Sequence, residues 1–578
     1  LLPALLPMLR STSLPCTHDN SLHYFRILAL RDALQHGWLF SRWVPNLALG
    51  YGYPFFNYRE PLAYVGGELL AVMGLPLPLV LGILYAIGLI GAAWGAYALA
   101  RELFGERAGW VAGVAYGLAP YLLLDALRRG NMQESVALAL LPWLLLIFRR
   151  IITRGGWRPF VTGVALLAML FIGHNITTLL FAPFLGGYVA LLAWLHRDRR
   201  HWPWAFVAVA LAVGLAAWFL IPALGEQGLV QLHLSRTTRN NDFRYNFATW
   251  REMLLTWPLA FDVNFLNAPL RLYLGVTPLL LGVAGLGWGL WRERADRERR
   301  ALLLFFAGMT VAYLWMSTAG SRPVWEAMPM LAFVQFPWRL IGRAALPLAL
   351  LAAALFADTA PEAVPLLGEK RRWGVTLGAL ALLVIFAWPE TYPPKGYCSF
   401  DAYPTMDALY AYELAGHMGV DPEGSYFPIW VETHPQDMTV ATAFVEGALP
   451  ARLDVSALPP GARVLAADYG PLRATLTLAT PEAFTARWLG LYFPGWQVRI
   501  NGAAVPVAPE QESGLLTFAV PAGEHEIEVY FGETFLRRAA NFISLAAVAA
   551  LGAILALRRW RPAPPAEAAA SPSLVWPG

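Results

Sequence analysis

The sequence predicts a mainly α-helical polytopic membrane protein with roughly a dozen spans, a C-terminal extracytoplasmic β-sandwich-like domain and a final transmembrane helix. Three observations carry that prediction. Of 578 residues, 57% are hydrophobic and only 14% charged, against about 25% charged in an ordinary soluble domain. Apolar stretches approaching the about 20 residues needed to cross a bilayer recur from 75 to 388 and again over 541–557. After residue 388 the pattern changes to the two-residue alternation of strands.

Residues 1–9 would cover only about 15 Å as a helix, half the hydrocarbon thickness. They read as the end of a first span whose beginning precedes this sequence. A cleaved signal peptide fits less well, because no small-residue cleavage pattern precedes the polar segment that follows. Basic clusters then set an orientation by the positive-inside rule: Arg101 with Arg107, and residues 149–158, 197–200, 292–300, 370–372 and 558–561 fall at every second junction between apolar runs. One topology satisfies all six. It places outside the segment 18–64, the turns at 128–134 and His174, the loops 225–270 and 318–339, and the region 392–534. It requires that 62–73 form an interfacial helix feeding the span that starts near Leu77, with Pro76 and Pro78 as punctuation. Within the first outside loop, 10–76, residues 22–34 mix Leu22, Phe25, Ile27 and Leu30 with His23, Arg26, Arg31 and Asp32, the pattern of an amphipathic helix lying in a membrane interface.

The domain organisation that follows is a membrane domain over 1–390, a β-rich domain over 391–535, and a last span with a cytoplasmic tail over 536–578. The alternation in RATLTLA and around Ile527, Val529 and Phe531, with Pro494-Gly495 and Asn501-Gly502 turns, predicts antiparallel strands. The Pro/Ala-rich tail after Arg561 has the composition of a disordered segment. A net charge of +4 spread over scattered arginines excludes a nucleic-acid face. Cys16 and Cys398 both fall outside, where disulfides persist; pairing would tie the first loop to the start of the β-rich domain, but the Cα separation this demands is not legible in a sequence.

Candidate chemistry concentrates in 18–64. Asp19 and Glu60 bracket a stretch rich in His, Arg, Tyr and Trp, opening HDNSLHYFRI and closing YGYPFFNYREPLAY. Asp19 also reads as a helix N-cap, as do Asn20 and Ser21. Glu60 is the second candidate for a catalytic carboxylate; beside Arg59 it also reads as a salt-bridged helix start, and two carboxylates facing one cleft would offer a divalent cation its oxygen ligands. Arg128, Arg129 and Glu134 lie between two apolar runs, where charge is costly unless paired or functional. A guanidinium suits a lipid-linked phosphate; snorkelling to headgroups is the duller alternative. Arg339 in QFPWRL either clamps a phosphate or anchors its span with Trp338. His174 is more simply a hydrogen-bonded structural residue than a ligand. His18, His23, Trp43 and Tyr58 are candidates for sugar contact. The polar stretch SRTTRNNDFRYNFATW, with Arg236, Arg239 and Arg244, has the length and composition of a lid.

The large first outside loop with an acidic residue near its start, followed by an interfacial helix, a GYP stretch and YREPL entering the next span, resembles the GT-C superfamily of polytopic glycosyltransferases. Across HDNSLHYFRI, GYGYPFFNY, RGNMQES, GHNITT, FVQFPWRLIG and FPGWQVRING, nearly the whole chain is similar to bacterial membrane proteins described as 6-pyruvoyl-tetrahydropterin synthase-related and to the YfhO-like group. No clustered-histidine pattern of a pterin synthase metal site is present. The resemblance implies a polyprenyl-phosphate sugar donor, an extracytoplasmic glycan, lipid or protein acceptor, membrane lipids as the medium, a bacterial cytoplasmic-membrane location, and Asp19 as base or stabiliser for the acceptor. Two other function classes remain: a non-catalytic scaffold binding an envelope polymer, and a lipid-linked glycan transporter, for which mid-membrane ionisable residues would be expected.

Overall fold

A helix that is apolar on every face needs lipid or a bundle interior around it, and the apolar runs of this chain meet both environments. The computed structural model describes residues 1–38, 42–196, 200–261, 263–264, 269–292, 296–358, 368–393, 395–421 and 423–559. The basic residues at 197–199, 293–295 and 560–561 and the tail after Arg561 lie outside them. Among the described residues, eight helices have the length and apolarity to cross a membrane, from Leu77–Phe104 to Phe535–Leu557. Leu62–Val72 and Trp157–Phe171 are apolar but shorter. At 11 residues, Leu62–Val72 rises only about 16 Å.

Proline and glycine punctuate the bundle. Pro78 opens Leu77–Phe104, and Gly105, at φ 100°, ends it; Glu106 N–H then donates to Asp358 Oδ2 at 3.1 Å as the chain turns into Glu106–Gly117. Small residues allow close helix contact: Trp202–Gly225 buries Ala205, Ala208, Ala212 and Ala216, and a Cβ on Gly214 would lie 2.9 Å from Ala547 of the last helix.

The helix Asn20–Gln35 departs from the sequence expectation. It does not present one apolar face to lipid: 11 of its 16 residues are buried, including His23, Arg26 and Asp32. The reason is that residues of the distant C-terminal region cover it. Tyr24 Oη donates to the Asp401 carbonyl at 2.7 Å, and Arg26 Nε and Nη2 donate to the Val420 carbonyl at 3.1 and 2.7 Å.

The C-terminal strands form two antiparallel sheets. One has the order Arg463–Tyr469, Arg473–Thr480, Gly523–Phe531, Trp496–Ile500, Ala503–Val505; the other runs Phe484–Leu491, Leu515–Val520, Val507–Pro509. Leu476, Leu478, Val498, Ile527 and Val529 of the first sheet, with Trp488, Leu516 and Phe518 of the second, are buried, as a sandwich core requires. The C-terminal region is tied to the first loop. Cys16 and Cys398 are disulfide-bonded with Cα atoms 5.0 Å apart, and Ser13–Pro15 pairs with Tyr397–Ser399. Trp43 inserts among Phe493, Trp496 and Phe531, at centroid distances of 5.9, 6.0 and 5.7 Å. Gly52 (φ 91°) makes room for that indole, since a Cβ there would meet Trp43 Nε1 at 2.3 Å.

Candidate functional site

A cavity of about 500 Å³ opens where the first loop, the helix ends and the C-terminal region meet. Its construction starts at a wide turn. Residues Asp125–Arg129 form a π-helical turn closed by Gly130 in the left-handed conformation, a local widening frequent at functional sites. A Cβ on Gly130 would lie 2.1 Å from Thr17 Oγ1, so only glycine lets the turn lie against the start of Asn20–Gln35. There His18 N–H donates to the Arg128 carbonyl at 3.2 Å and Asp19 N–H to the Arg129 carbonyl at 2.9 Å. Asp19 occupies the N-cap position but makes no side-chain capping bond. Thr17 Oγ1 accepts from Asn20 N–H at 3.1 Å instead, and the Asp19 carboxylate lines the cavity.

Beneath the cavity lies a buried charged network. Glu134, with no exposed surface, accepts from Arg129 Nη1 at 3.0 Å, from Tyr121 Oη at 2.8 Å and from Arg343. Asp125 accepts from Arg129 at 2.6 Å and Ser135 Oγ at 2.9 Å. Arg343 also donates to Thr177 Oγ1, and Arg339 Nε stands 3.9 Å from Glu134. Three guanidinium groups (Arg129, Arg339, Arg343) therefore face two carboxylates (Asp125, Glu134). The uncompensated charge has a location: Arg339 is 5% exposed and lines the cavity, and its Nε and Nη1 have no hydrogen-bond partner among the described residues. A buried charge left in that state calls for an anion.

Glu60 lines the same cavity as Asp19. Its Oε1 accepts from Asn175 N–H at 2.7 Å, at the start of Asn175–Leu195, and its Oε2 accepts from Gln133 Nε2 at 3.1 Å. The helix start it serves is thus a neighbour's, and both oxygens are occupied by protein donors. Arg59 Nε donates to Gln133 Oε1 at 3.1 Å. Among the described residues, no group of three or more His, Cys, Asp or Glu is arranged to hold a metal ion. His174 caps the same helix, its Nδ1 accepting from Thr177 N–H at 3.3 Å. His23 Nδ1 meets Tyr64 Oη at 2.8 Å, and burial, with Arg26 and Arg59 nearby, holds its pKa well below the usual imidazole range.

Eight of the expected residues thus line one cavity: His18, Asp19, His23, Arg59, Glu60, Arg129, His174 and Arg339. Four do not. Trp43 is a sandwich contact, since an aromatic suited to stacking on sugar is equally suited to an aromatic core. Tyr58 donates to the Glu226 carbonyl at 2.7 Å and stacks on Tyr426. Arg128 points away to Glu390 at 2.6 Å. Glu134 lies below, among the arginines. The arginines of the long loop are also elsewhere, with Arg236 over Phe333 and Arg244 paired to Asp242, whereas Asn240, Asn241 and Asn246 of that loop reach the cavity.

The opposite wall was not anticipated. Asp421, Glu423, Ser425 and Tyr426, with Tyr412 and His417, line it. Arg343 was missed too, although an arginine one turn beyond Arg339 at the head of an apolar helix was a readable signal. The site therefore has a guanidinium floor that suits phosphate and carboxylates that suit hydroxyl groups.

A search of curated proteins finds no match. Among solved structures, the mycobacterial arabinofuranosyltransferase AftD is similar at 19% identity and a TM-score of 0.43, over 72% of this chain and 28% of its own. The Archaeoglobus fulgidus oligosaccharyltransferase is similar at 14% identity and a TM-score of 0.36, over 78% of this chain and 61% of its own. This chain spans little more than a quarter of the length of AftD. Residues 56–389 match the family model described as 6-pyruvoyl-tetrahydropterin synthase related domain, membrane protein. That match covers more than half the sequence and all but Asp19, His18, His23 and Trp43 of the expected site residues, and the chain belongs to the 6-pyruvoyl-tetrahydropterin synthase-related family of membrane proteins.

Proposed function

We propose that this protein is a membrane glycosyltransferase of GT-C type that moves a sugar from a polyprenyl-phosphate donor to an extracytoplasmic acceptor. The observation that carries the reading is the pairing, in one cavity, of an Asp19 carboxylate released from capping with an Arg339 guanidinium that has no hydrogen-bond partner among the described residues for two of its nitrogens. Arg339 holds the donor phosphate. Asp19 accepts the proton of the attacking hydroxyl as its oxygen bonds to the anomeric carbon. The bond from that carbon to phosphate oxygen breaks, and its electron pair leaves with the lipid phosphate. The leaving group is already a stable anion, so a base beside the acceptor is the one proton-transfer group required.

The test is transfer of radiolabelled sugar from a panel of polyprenyl-phosphate sugars by the full chain in lipid nanodiscs. Asp19→Asn should lower transfer by about 10²- to 10⁴-fold without altering the thermal unfolding profile. No transfer by either protein, with donor binding retained, would replace this reading with that of a non-catalytic scaffold.

A further inference from the structure

The wall opposite the guanidinium floor has its own chemistry. Ser425 is 2% exposed, and its Oγ has no hydrogen-bond partner among the described residues. Asn240 Oδ1 and His417 Nδ1 are likewise buried and without partners there. All three residues line the cavity. A buried hydroxyl, amide oxygen and imidazole nitrogen left unsatisfied together form a set of polar groups waiting for a ligand. Around them stand carboxyl groups, each partly held. Asp421 Oδ2 accepts from Ser425 N–H at 2.8 Å and from Tyr53 Oη at 3.3 Å, and Glu423 Oε1 accepts from Asn241 Nδ2 at 2.8 Å. Val420, the residue before Asp421, is at φ 52°, a conformation unfavourable for a β-branched side chain. Arg26 holds its carbonyl with two hydrogen bonds. The Tyr412 and His417 rings stack at 4.1 Å, providing a flat surface beside these groups.

We infer that the wall formed by Asp421, Glu423 and Ser425 with Asn240 is a binding subsite for an uncharged, hydroxyl-rich glycan, and that in the transfer reaction this glycan is the acceptor. Sugar hydroxyls both donate and accept, so they satisfy carboxylates and unpartnered neutral atoms together. An anionic acceptor is disfavoured because Asp19, Asp421 and Glu423 all face the space it would occupy. Burial, with the charge of Asp421 close by, pushes the Glu423 carboxyl up to about 7, the response of a group that already feels its acidic neighbours. The inference depends on the glycosyltransferase reading for the word acceptor, not for the binding.

Binding to the full chain in nanodiscs separates the two. The probes are maltotetraose, mannotetraose and arabinotetraose, with tetragalacturonate as the charged counterpart. Wild type should bind at least one neutral probe and discriminate against tetragalacturonate by tenfold or more. Ser425→Ala and Glu423→Gln should each weaken the neutral probe by at least tenfold. Glu423→Arg should gain tetragalacturonate binding, a result that misfolding cannot imitate. Tetragalacturonate bound by wild type as tightly as the neutral probes, no binding of any neutral probe, or neutral binding indifferent to Ser425→Ala would each overturn the inference. Neutral binding through Ser425 in a protein that transfers no sugar would leave this subsite standing and remove the glycosyltransferase reading.

Discussion

The floor and the wall of the cavity are built on opposite principles. In the floor, Glu134 and Asp125 are saturated by Arg129, Arg343, Tyr121 and Ser135, and among the described residues Arg339 presents two unused donors at the cavity, with Arg343 Nε also without a hydrogen-bond partner. The wall leaves Ser425 Oγ, Asn240 Oδ1 and His417 Nδ1 without hydrogen-bond partners among the described residues on backbone that includes a left-handed Val420. Most of the ions buried among the helices are compensated within the protein before any ligand arrives, because burying an uncompensated ion is costly; Arg339, which lines the cavity, is the exception. Neutral polar groups at the edge of a cavity carry a smaller penalty, so they can wait for a ligand. Folding stability should therefore concentrate in the floor and ligand selectivity in the wall.

The sharpest way to break this contrast is to remove one group from each side. Glu134→Ala leaves Arg129, Arg339 and Arg343 facing Asp125 alone and should cost about 3–5 kcal/mol, read as a large fall in thermal unfolding temperature. Ser425→Ala removes a hydroxyl that has no hydrogen-bond partner among the described residues and should cost less than about 1 kcal/mol. Equal losses would remove the distinction between the two walls. Next in size is Arg339→Gln. Losing a charge-assisted contact to phosphate is worth about 1.5–3 kcal/mol, so the apparent KM for a polyprenyl-phosphate sugar should rise by about 10- to 100-fold with little loss of stability. An unchanged KM would place the phosphate elsewhere.

The same contrast explains what the sequence disclosed. Lipid demands long apolar helices, so the bundle and the final span were legible, and the half-buried sandwich showed itself through alternation. Span number was less so: an apolar run such as Trp157–Phe171 is shorter as a helix than the spans expected of it. The floor was partly legible, because Arg129 and Arg339 are charges beside apolar runs and such charges advertise themselves. The wall was not. Residues 412–426 have no regular period, and their place beside Asp19 depends on pairings such as Arg26 with Val420, 394 positions apart in sequence. Trp43 and Tyr58 misled for a related reason, since stacking on a sugar and packing on Phe493 or Tyr426 call for the same side chains.

The last expected effect concerns the charge state of the wall. The Glu423 carboxyl is pushed up to about 7 by burial and by the nearby charge of Asp421, with Asp19 adding in the same direction and Asn241 opposing. In the unfolded chain it titrates near the ordinary glutamate value of about 4.3. Between those two values the folded protein holds a proton that the unfolded chain has released, so stability is greatest below the unfolded value and falls as pH rises through the window. The contribution of this one group should be on the order of 1–3 kcal/mol between about pH 4.5 and 7. Glu413, also pushed up to about 7 by burial, adds a slope of the same sign to wild type and variant alike, so the informative quantity is the difference between them. Thermal unfolding of wild type and Glu423→Gln across pH 4.5–8 should show the wild-type temperature falling more steeply. Parallel curves would mean that Glu423 is ionised throughout, and would leave the wall with a full negative charge for an acceptor to meet.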